Sequence, residues 1–143
     1  MKLSTRSRYG LRLMIALASS YGDGPRLLKE IADTEELSEK YLGQLVIPLK
    51  SAGFISAVRG AKGGYELDRD PQQISPLDII NVLEGDLFTR EESTPASPGS
   101  LRAASDLWEQ LRKAMTSVLS SMTLAELAEN AGEKNSDSLM YSI

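Results

Sequence analysis

The sequence has no cysteine and no histidine among its 143 residues. Their absence excludes disulfides, thiol nucleophiles, triads built on histidine, thiolate-held clusters and nearly all structural zinc sites. An enzyme would have to work with carboxylates, lysine, tyrosine or serine alone. The acidic residues fall at helix starts, in turns and on polar helix faces, and no pair of them stands apart. We therefore expect no enzyme activity, no catalytic residues, no metal site and no cofactor.

Long apolar runs are also missing. No stretch approaches the length that a membrane-spanning helix needs, and the first residues lack the apolar core of a signal peptide. The length suits one small domain with an appended helix. These features predict a cytoplasmic protein.

Positive charge is scarce overall, since the net charge is −4. The charge is unevenly spread, however. Residues 1–70 carry 11 Lys and Arg against 9 Asp and Glu, a net of +2, whereas residues 71–143 carry 5 against 11, a net of −6. The first twelve residues hold four basic side chains and no acidic one. DNA binding needs a local basic surface rather than a basic protein, so the net charge does not exclude it.

Three helices are expected in the first third of the chain. Ser4 or Thr5 can cap a first helix, whose apolar residues recur at helical spacing. A short second helix follows a turn rich in glycine, and Ser38 is a suitable N-cap for a third. Pro48 lies inside this third helix, where it is expected to kink or end it.

A hairpin and a fourth helix follow. Residues 54–67 read as two short strands around a glycine-rich tip, and Ser75 is followed by Pro76 and Asp78 in the pattern of a capped helix start. The order of elements predicts a winged helix-turn-helix DNA-binding domain over residues 1–88. The expected fold is mainly α with a small β-hairpin wing (α+β).

In such a domain the third helix lies in the major groove, and the wing reaches the adjacent minor groove or the backbone. Gln44 can pair with an adenine edge, while Arg59 and Lys62 flank glycines that let the backbone approach a phosphate. A solvated helix face and a plain hairpin turn are the alternatives. The predicted DNA-binding residues are Lys2, Ser4, Thr5, Arg6, Arg8, Ser38, Glu39, Lys40, Tyr41, Gln44, Arg59, Gly60 and Lys62.

The second half of the chain begins with a linker, predicted over residues 89–100 from its Ser, Thr, Pro and Gly content. A long amphipathic helix and a short last helix are expected over 101–131, and a tail over 132–143. The apolar stripe of the long helix predicts pairing with a second copy, and packing on the N-terminal helices is the alternative. The predicted dimerisation residues are Leu101, Leu107, Trp108, Leu111, Met115, Val118, Leu119 and Met122.

Several segments resemble the Rrf-two family of bacterial winged-helix transcription regulators, and the pattern extends over nearly the whole chain. The segments are Met1-Lys2-Leu3-Ser4-Thr5, Arg8-Tyr9-Gly10-Leu11, Leu37-Ser38-Glu39-Lys40-Tyr41-Leu42, Gln44-Leu45, Val58-Arg59-Gly60-Ala61-Lys62-Gly63-Gly64-Tyr65 and Val82-Leu83-Glu84-Gly85. The wing string is highly specific. The resemblance implies a homodimer joined through the long helix, with the last short helix packing on the partner's winged helix-turn-helix domain.

The chain departs from the family pattern in two places. Members that hold an iron–sulfur cluster have cysteines in the segment corresponding to residues 89–105, and this sequence has none there, which excludes a cluster. Gly43 stands where members carry a Glu on the reading face. This glycine therefore weakens any transfer of the operator sequences of those members to this chain.

Without the cysteines, the chain is more similar to a branch of the family that represses cysteine metabolism. That branch shares Leu45-Val46 followed by Pro48-Leu49 and a tail that ends in an aromatic residue and then Ile. Its regulator acts with cysteine synthase, which binds peptides ending in Ile. The resemblance implies that Tyr141 and Ile143 form a partner-binding tail, captured through its terminal carboxylate and apolar side chains, and packing of a frayed tail is the alternative.

The function predicted from the sequence is therefore a homodimeric DNA-binding transcriptional regulator, in particular a repressor of cysteine or sulfur metabolism genes. The alternative is a winged-helix protein-interaction module that does not bind DNA.

Overall fold

A computed structural model describes residues 3–85 and 91–141, with Tyr141 described by its backbone alone. The elements are α1 (Thr5–Ser19), α2 (Leu28–Glu35), α3 (Glu39–Ser51), β1 (Ile55–Val58), β2 (Gly64–Leu67), a 3-10 turn (Pro71–Gln73), α4 (Pro76–Glu84), α5 (Gly99–Ser120) and α6 (Leu124–Tyr141). The described part of the chain is thus mainly α with one small hairpin, which confirms the predicted fold class. No helix in it is long and apolar enough to cross a bilayer.

The predicted helix starts are confirmed by their side-chain caps. The hydroxyl of Ser4 accepts a hydrogen bond from the backbone N–H of Ser7 at 3.3 Å, and Ser38 accepts one from Tyr41 at 3.2 Å. Ser75 and Asp78 form a reciprocal capping box at the start of α4. Each cap satisfies backbone donors that the first turn of a helix leaves without a partner.

The hydrophobic core lies between α1, α2, α3 and α4 and is closed by the hairpin. Its fully buried large side chains are Leu13, Met14, Leu17, Ile31, Leu42, Leu45, Leu49, Ile55, Ile74, Ile79 and Leu124. Leu124 belongs to α6, so the first turn of that helix is part of the same core as α1 to α4. This unit, residues 3–85 with the first turn of α6, is called the head below. The backbone N–H of Leu124 also donates to the carbonyl of Ile74 at 2.7 Å.

Pro48 does not end α3, which corrects part of the expectation from the sequence. The helix continues to Ser51, and the backbone N–H of Ala52 donates to the Pro48 carbonyl at 3.0 Å. Because proline has no N–H, the bond back to the carbonyl of Gln44 is missing. Gln44 is exposed, so water can donate a hydrogen bond to its carbonyl in place of the missing N–H, and the helix continues.

The wing contains a third backbone segment that the sequence did not predict. The hairpin pairs Ile55 with Leu67 and Val58 with Gly64, and Arg26 then bonds to Tyr65 from the other side. The N–H of each of these two residues donates to the carbonyl of the other at 2.8 Å. A Cβ on Gly64, whose φ is +145°, would lie 2.3 Å from the Arg26 carbonyl oxygen, so only glycine permits this approach.

The last helix is longer than predicted. The expectation was a short last helix within residues 101–131 followed by a tail over 132–143, whereas α6 continues to Tyr141. Thr123 caps its start by accepting from the N–H of Glu126 at 3.1 Å, and Leu124 anchors the first turn in the core. Once a turn is fixed in this way, each added residue gains a hydrogen bond without a new nucleation penalty, even in a polar segment.

Within the single chain, α6 packs on α1 and on the 3-10 turn, and its packing on a partner stays a prediction.

Candidate nucleic-acid interface

The outer face of α3 presents the residues that the sequence assigns to base reading. Ser38, Glu39, Lys40 and Gln44 are exposed, and Gly43 is half-buried between them. Helix packing explains the orientation, because the opposite face of α3 supplies Leu42, Leu45, Val46 and Leu49 to the core. The polar face is therefore fixed toward solvent by the burial of the apolar one.

Tyr41 differs from its neighbours on α3. Its ring is half-buried and meets the ring of Tyr9 edge to face, with 5.9 Å between centroids and 86° between planes. This contact holds α3 against α1. Tyr41 thus positions α3, and its ring is less accessible to DNA than the exposed side chains beside it.

The wing places three predicted residues on its exposed tip: Arg59, Gly60 and Lys62. The turn is closed by the N–H of Gly63, which donates to the Gly60 carbonyl at 3.0 Å, and Gly60 has a φ of +114°. Within residues 3–85 and 91–141, no acidic side chain forms an ion pair with Arg59 or Lys62. Their charges are therefore free to meet a phosphate.

The start of α1 contributes Thr5, Arg6 and Arg8, all exposed. The Arg8 guanidinium donates to the Thr5 hydroxyl at 3.4 Å, which holds the two side chains together. Lys2, also predicted to bind DNA, lies outside the described residues.

Ser4 hydrogen-bonds to a carboxylate within the protein, that of Glu84. Its hydroxyl and its backbone N–H both donate to Oε1 of Glu84, the N–H at 2.9 Å, and the hydroxyl of Ser7 donates to the same oxygen at 2.7 Å. The proton of Ser4 is therefore not available to a phosphate. Ser38 differs, because it only accepts at its cap and keeps its proton.

These three hydrogen bonds hold the pKa of Glu84 below its usual range, with the Ser4 hydroxyl the largest cause and the Ser7 hydroxyl the next. Partial burial opposes the shift, and the positive charge of Arg6 adds to it. The sequence analysis missed this cluster. The sequence did contain one signal for it. Glu84 lies in the last turn of α4, where a negative charge interacts unfavourably with the helix dipole, and such a residue is expected to have a compensating partner elsewhere in the fold.

Seven of the eight predicted dimerisation residues lie on one face of α5, and Met122 lies just beyond its end. No residue of this helix, Gly99–Ser120, is buried in the single chain. Leu107, Trp108, Leu111 and Val118 are exposed, the tryptophan by 53% and the valine by 66%. Leu101, Met115, Leu119 and Met122 are half-buried. In the predicted tail, Leu139 and Met140 are exposed by 68% and 75%, while Ile143 and the side chain of Tyr141 lie outside the described residues.

Comparison with known proteins gives consistent matches over this architecture. A family model described as Rrf2, iron-dependent transcriptional regulator, matches residues 3–130. The transcriptional regulator CymR of Bacillus subtilis (strain 168) is 48% identical over 128 residues, covering 90% of each protein. The solved structure of B. subtilis CymR, the global cysteine regulator, matches with a TM-score of 0.80 at 46% identity, covering 91% of this chain and 98% of the other. For T. potens IscR the TM-score is 0.78 at 42% identity, covering 94% and 90%.

The family model is described as iron-dependent, but an iron–sulfur cluster would need ligands that this chain lacks. Iron–sulfur clusters are held by thiolates, in some cases with imidazoles, and the whole sequence has neither cysteine nor histidine. Carboxylates do not replace them, because residues 3–85 and 91–141 bring no three acidic side chains together into a possible metal site. The residues present therefore do not fit an iron–sulfur cluster.

Proposed function

This chain belongs to the Rrf2 family of transcriptional regulators, and on that premise we propose that it is a homodimeric repressor of cysteine or sulfur metabolism genes. The observation that carries the proposal is the polar outer face of α3 beside a wing whose basic side chains have no acidic partner within the described ranges. Two such heads on one dimer read two half-sites of a palindromic operator, and occupancy of the operator blocks transcription. Such a role places the protein with the chromosome in the cytoplasm.

The name of the relative CymR supports the choice of target genes, since its solved structure is described as that of a global cysteine regulator. The proposed contacts divide by chemistry. Gln44, Lys40, Ser38 and Glu39 face base edges, where glutamine suits adenine and an acid suits cytosine. The α1 residues and the wing tip contact phosphates and set the register.

A gel-shift titration on promoters of sulfur-assimilation genes tests DNA binding. The wild type binds with strong salt dependence, and Lys62→Ala weakens binding to every sequence while lowering the salt slope by about one. Lys134→Ala, an equally exposed lysine on α6, leaves both unchanged. Arg59→Ala removes the other wing-tip cation, and salt-sensitive binding is lost in the same way. If no promoter is bound even at low salt, the chain is an interaction module and the proposal is wrong.

The proposed dimer forms through α5, because an apolar stripe with no buried member in the single chain is a surface that a second copy can cover. Val118→Glu places a charge in the stripe and produces a monomer, whereas Ser117→Glu, on the adjacent polar side of α5, stays dimeric. Sedimentation measures the mass. The fluorescence of Trp108, the single tryptophan, shifts to the red as the dimer dissociates on dilution. A dimeric Val118→Glu variant contradicts this interface.

We also propose that the end of the chain binds cysteine synthase through Tyr141 and Ile143. The exposure of Leu139 and Met140 supports an accessible last turn. Because α6 remains helical to Tyr141, capture of an extended peptide in an enzyme pocket requires the last turn to unwind. Deletion of residues 141–143 abolishes the complex in a pull-down with the purified enzyme, and Ser142→Ala does not. Unchanged binding after the deletion refutes the partner.

A further inference from the structure

Four residues of α3 form a continuous stripe on its outer face: Lys40, Gly43, Gln44 and Ile47. Their spacing is i, i+3, i+4 and i+7, which places them on one side of a helix over two turns. Helices that read the major groove present their base-contacting side chains at this spacing. Lys40 and Gln44 are assigned DNA contacts above, and Gly43 has no side chain. Ile47 is therefore left without an assigned contact.

Ile47 is exposed by 66%, although it is large, apolar and β-branched. Gly43, one turn before it, has no side chain, and a Cβ built there would lie 3.8 Å from Cδ2 of Leu28. The side chain of Leu28, at the start of α2, therefore extends to the bare backbone of Gly43. Ile47 and Gly43 lie one turn apart on the outer face of α3, and Leu28 adjoins Gly43. The three residues therefore offer adjacent apolar surface, here called the apolar slot, beside Lys40 and Gln44.

The position of the slot decides what fills it. In the major groove every base edge presents hydrogen-bonding groups, and the 5-methyl group of thymine is the apolar group among them. A slot that continues the polar stripe of Gln44 and Lys40 meets base edges whenever those two residues do. An isoleucine facing only donors and acceptors would keep them from water without replacing their bonds, which is unfavourable.

We propose that Ile47, with Leu28 and the bare backbone of Gly43, is a specificity determinant that binds the 5-methyl group of a thymine in each half-site. The proposal rests on the DNA-binding role given above and adds a base to it. Ile47 lies three residues, about 4.5 Å of helix rise, beyond Gln44, and one base step is about 3.4 Å. The thymine is therefore within two base pairs of the adenine that Gln44 reads.

Uracil in place of thymine tests the contact, because it removes the methyl group and keeps the hydrogen-bonding edge. An operator is first defined by footprinting the full chain on the promoters that it binds. Each thymine in the footprint is then replaced by deoxyuridine, and the dissociation constant is measured for the wild type and Ile47→Ala. Tyr21→Ala, an exposed side chain in the loop after α1, is the matched control, and circular dichroism verifies that all three proteins are folded.

At one thymine in each half-site, replacement by deoxyuridine is expected to weaken wild-type binding about fourfold, which corresponds to the free energy of burying one methyl group. Tyr21→Ala keeps this loss, whereas Ile47→Ala binds thymine and uracil operators equally. A footprint with no methyl-sensitive thymine overturns the inference, as does equal sensitivity in Ile47→Ala, which would show that another residue contacts the methyl group. Failure of the wild type to bind any promoter refutes the DNA-binding proposal itself and is seen before any variant is compared.

Discussion

Replacement of Glu84 should destabilise the head by an amount that the structure allows to be worked out. Oε1 of this carboxylate accepts three hydrogen bonds from the start of α1, two from Ser4 and one from Ser7. Ser7 is exposed by only 2%, whereas Ser4 and Glu84 are half-buried. The bond from Ser7 is therefore the one that water cannot replace.

Glu84→Ala leaves the Ser7 hydroxyl buried without its acceptor, which costs about 1–3 kcal/mol, and removes two half-exposed bonds worth less than that. We expect a total loss of about 2–3 kcal/mol in the free energy of unfolding. Glu84→Gln keeps an acceptor oxygen but loses the charge, and hydrogen bonds to a neutral acceptor are about half as strong. Its expected loss is about 1 kcal/mol.

The stabilisation depends on pH with a defined sign. Since the pKa of Glu84 is lowered in the folded protein from its ordinary 4.5, the ionised form stabilises the fold above that value. The contribution is lost as the pH falls below 4.5 and through the folded pKa. The difference between the wild type and Glu84→Gln is therefore constant at neutral pH and shrinks in acid.

Urea unfolding followed by circular dichroism measures these differences, at one fixed protein concentration because the stability of the proposed dimer would depend on it. Glu133→Gln, an exposed acid on α6, is the matched control and stays within about 0.5 kcal/mol of the wild type. A double-mutant cycle of Ser7→Ala with Glu84→Gln isolates the buried bond, with an expected coupling of about 1 kcal/mol. A loss under about 0.5 kcal/mol for Glu84→Ala, typical of an ordinary surface residue, would refute the reasoning.

Three further substitutions have directions fixed by the structure, and urea unfolding measures each. Gly64→Ala forces a Cβ against the Arg26 carbonyl at a positive φ, so it costs more than about 2 kcal/mol and opens the wing; a loss under about 1 kcal/mol would contradict the tight approach. Gly43→Ala stabilises α3 by about 0.5–1 kcal/mol, because it removes a mid-helix glycine and meets only ordinary contact; a destabilised variant would be inconsistent with that space. Arg69→Ala removes a cation over the Phe54 ring at 4.7 Å and the hydrogen bond from its guanidinium to the Ala52 carbonyl at 3.3 Å, and it costs about 0.5–1 kcal/mol; an unchanged stability would contradict both contacts.

The head was largely predictable because its signals are local. Ser4, Ser38 and Ser75 are N-caps whose side-chain chemistry identifies a helix start without any tertiary information, and all three caps are formed. The hairpin follows from β-branched residues around a glycine-rich tip, and its glycines are required by the backbone. The exposed face of α3 follows from the periodicity of its buried face.

The features that were missed depend on residues far apart in sequence. The bond of Glu84 to Ser7 spans 77 positions, and the pairing of Arg26 with Tyr65 lies outside the hairpin. No local pattern specifies either of them. The length of α6 was missed for a different reason, since its second half is polar and continues a helix that burial of Leu124 has already nucleated.

The long helix α5 shows where sequence pattern and burial within one chain disagree. Its stripe has the periodicity of a buried helix face, yet residues 99–120 bury none of their side chains in the single chain. The described helices α1 to α4 and the start of α6 do not share this mismatch, because each supplies apolar residues to the core. An apolar stripe exposed along a helix of 22 residues is unfavourable in water unless another surface covers it. The stripe therefore supports the proposed assembly, in which a second copy of the same helix offers a surface of matching length and polarity.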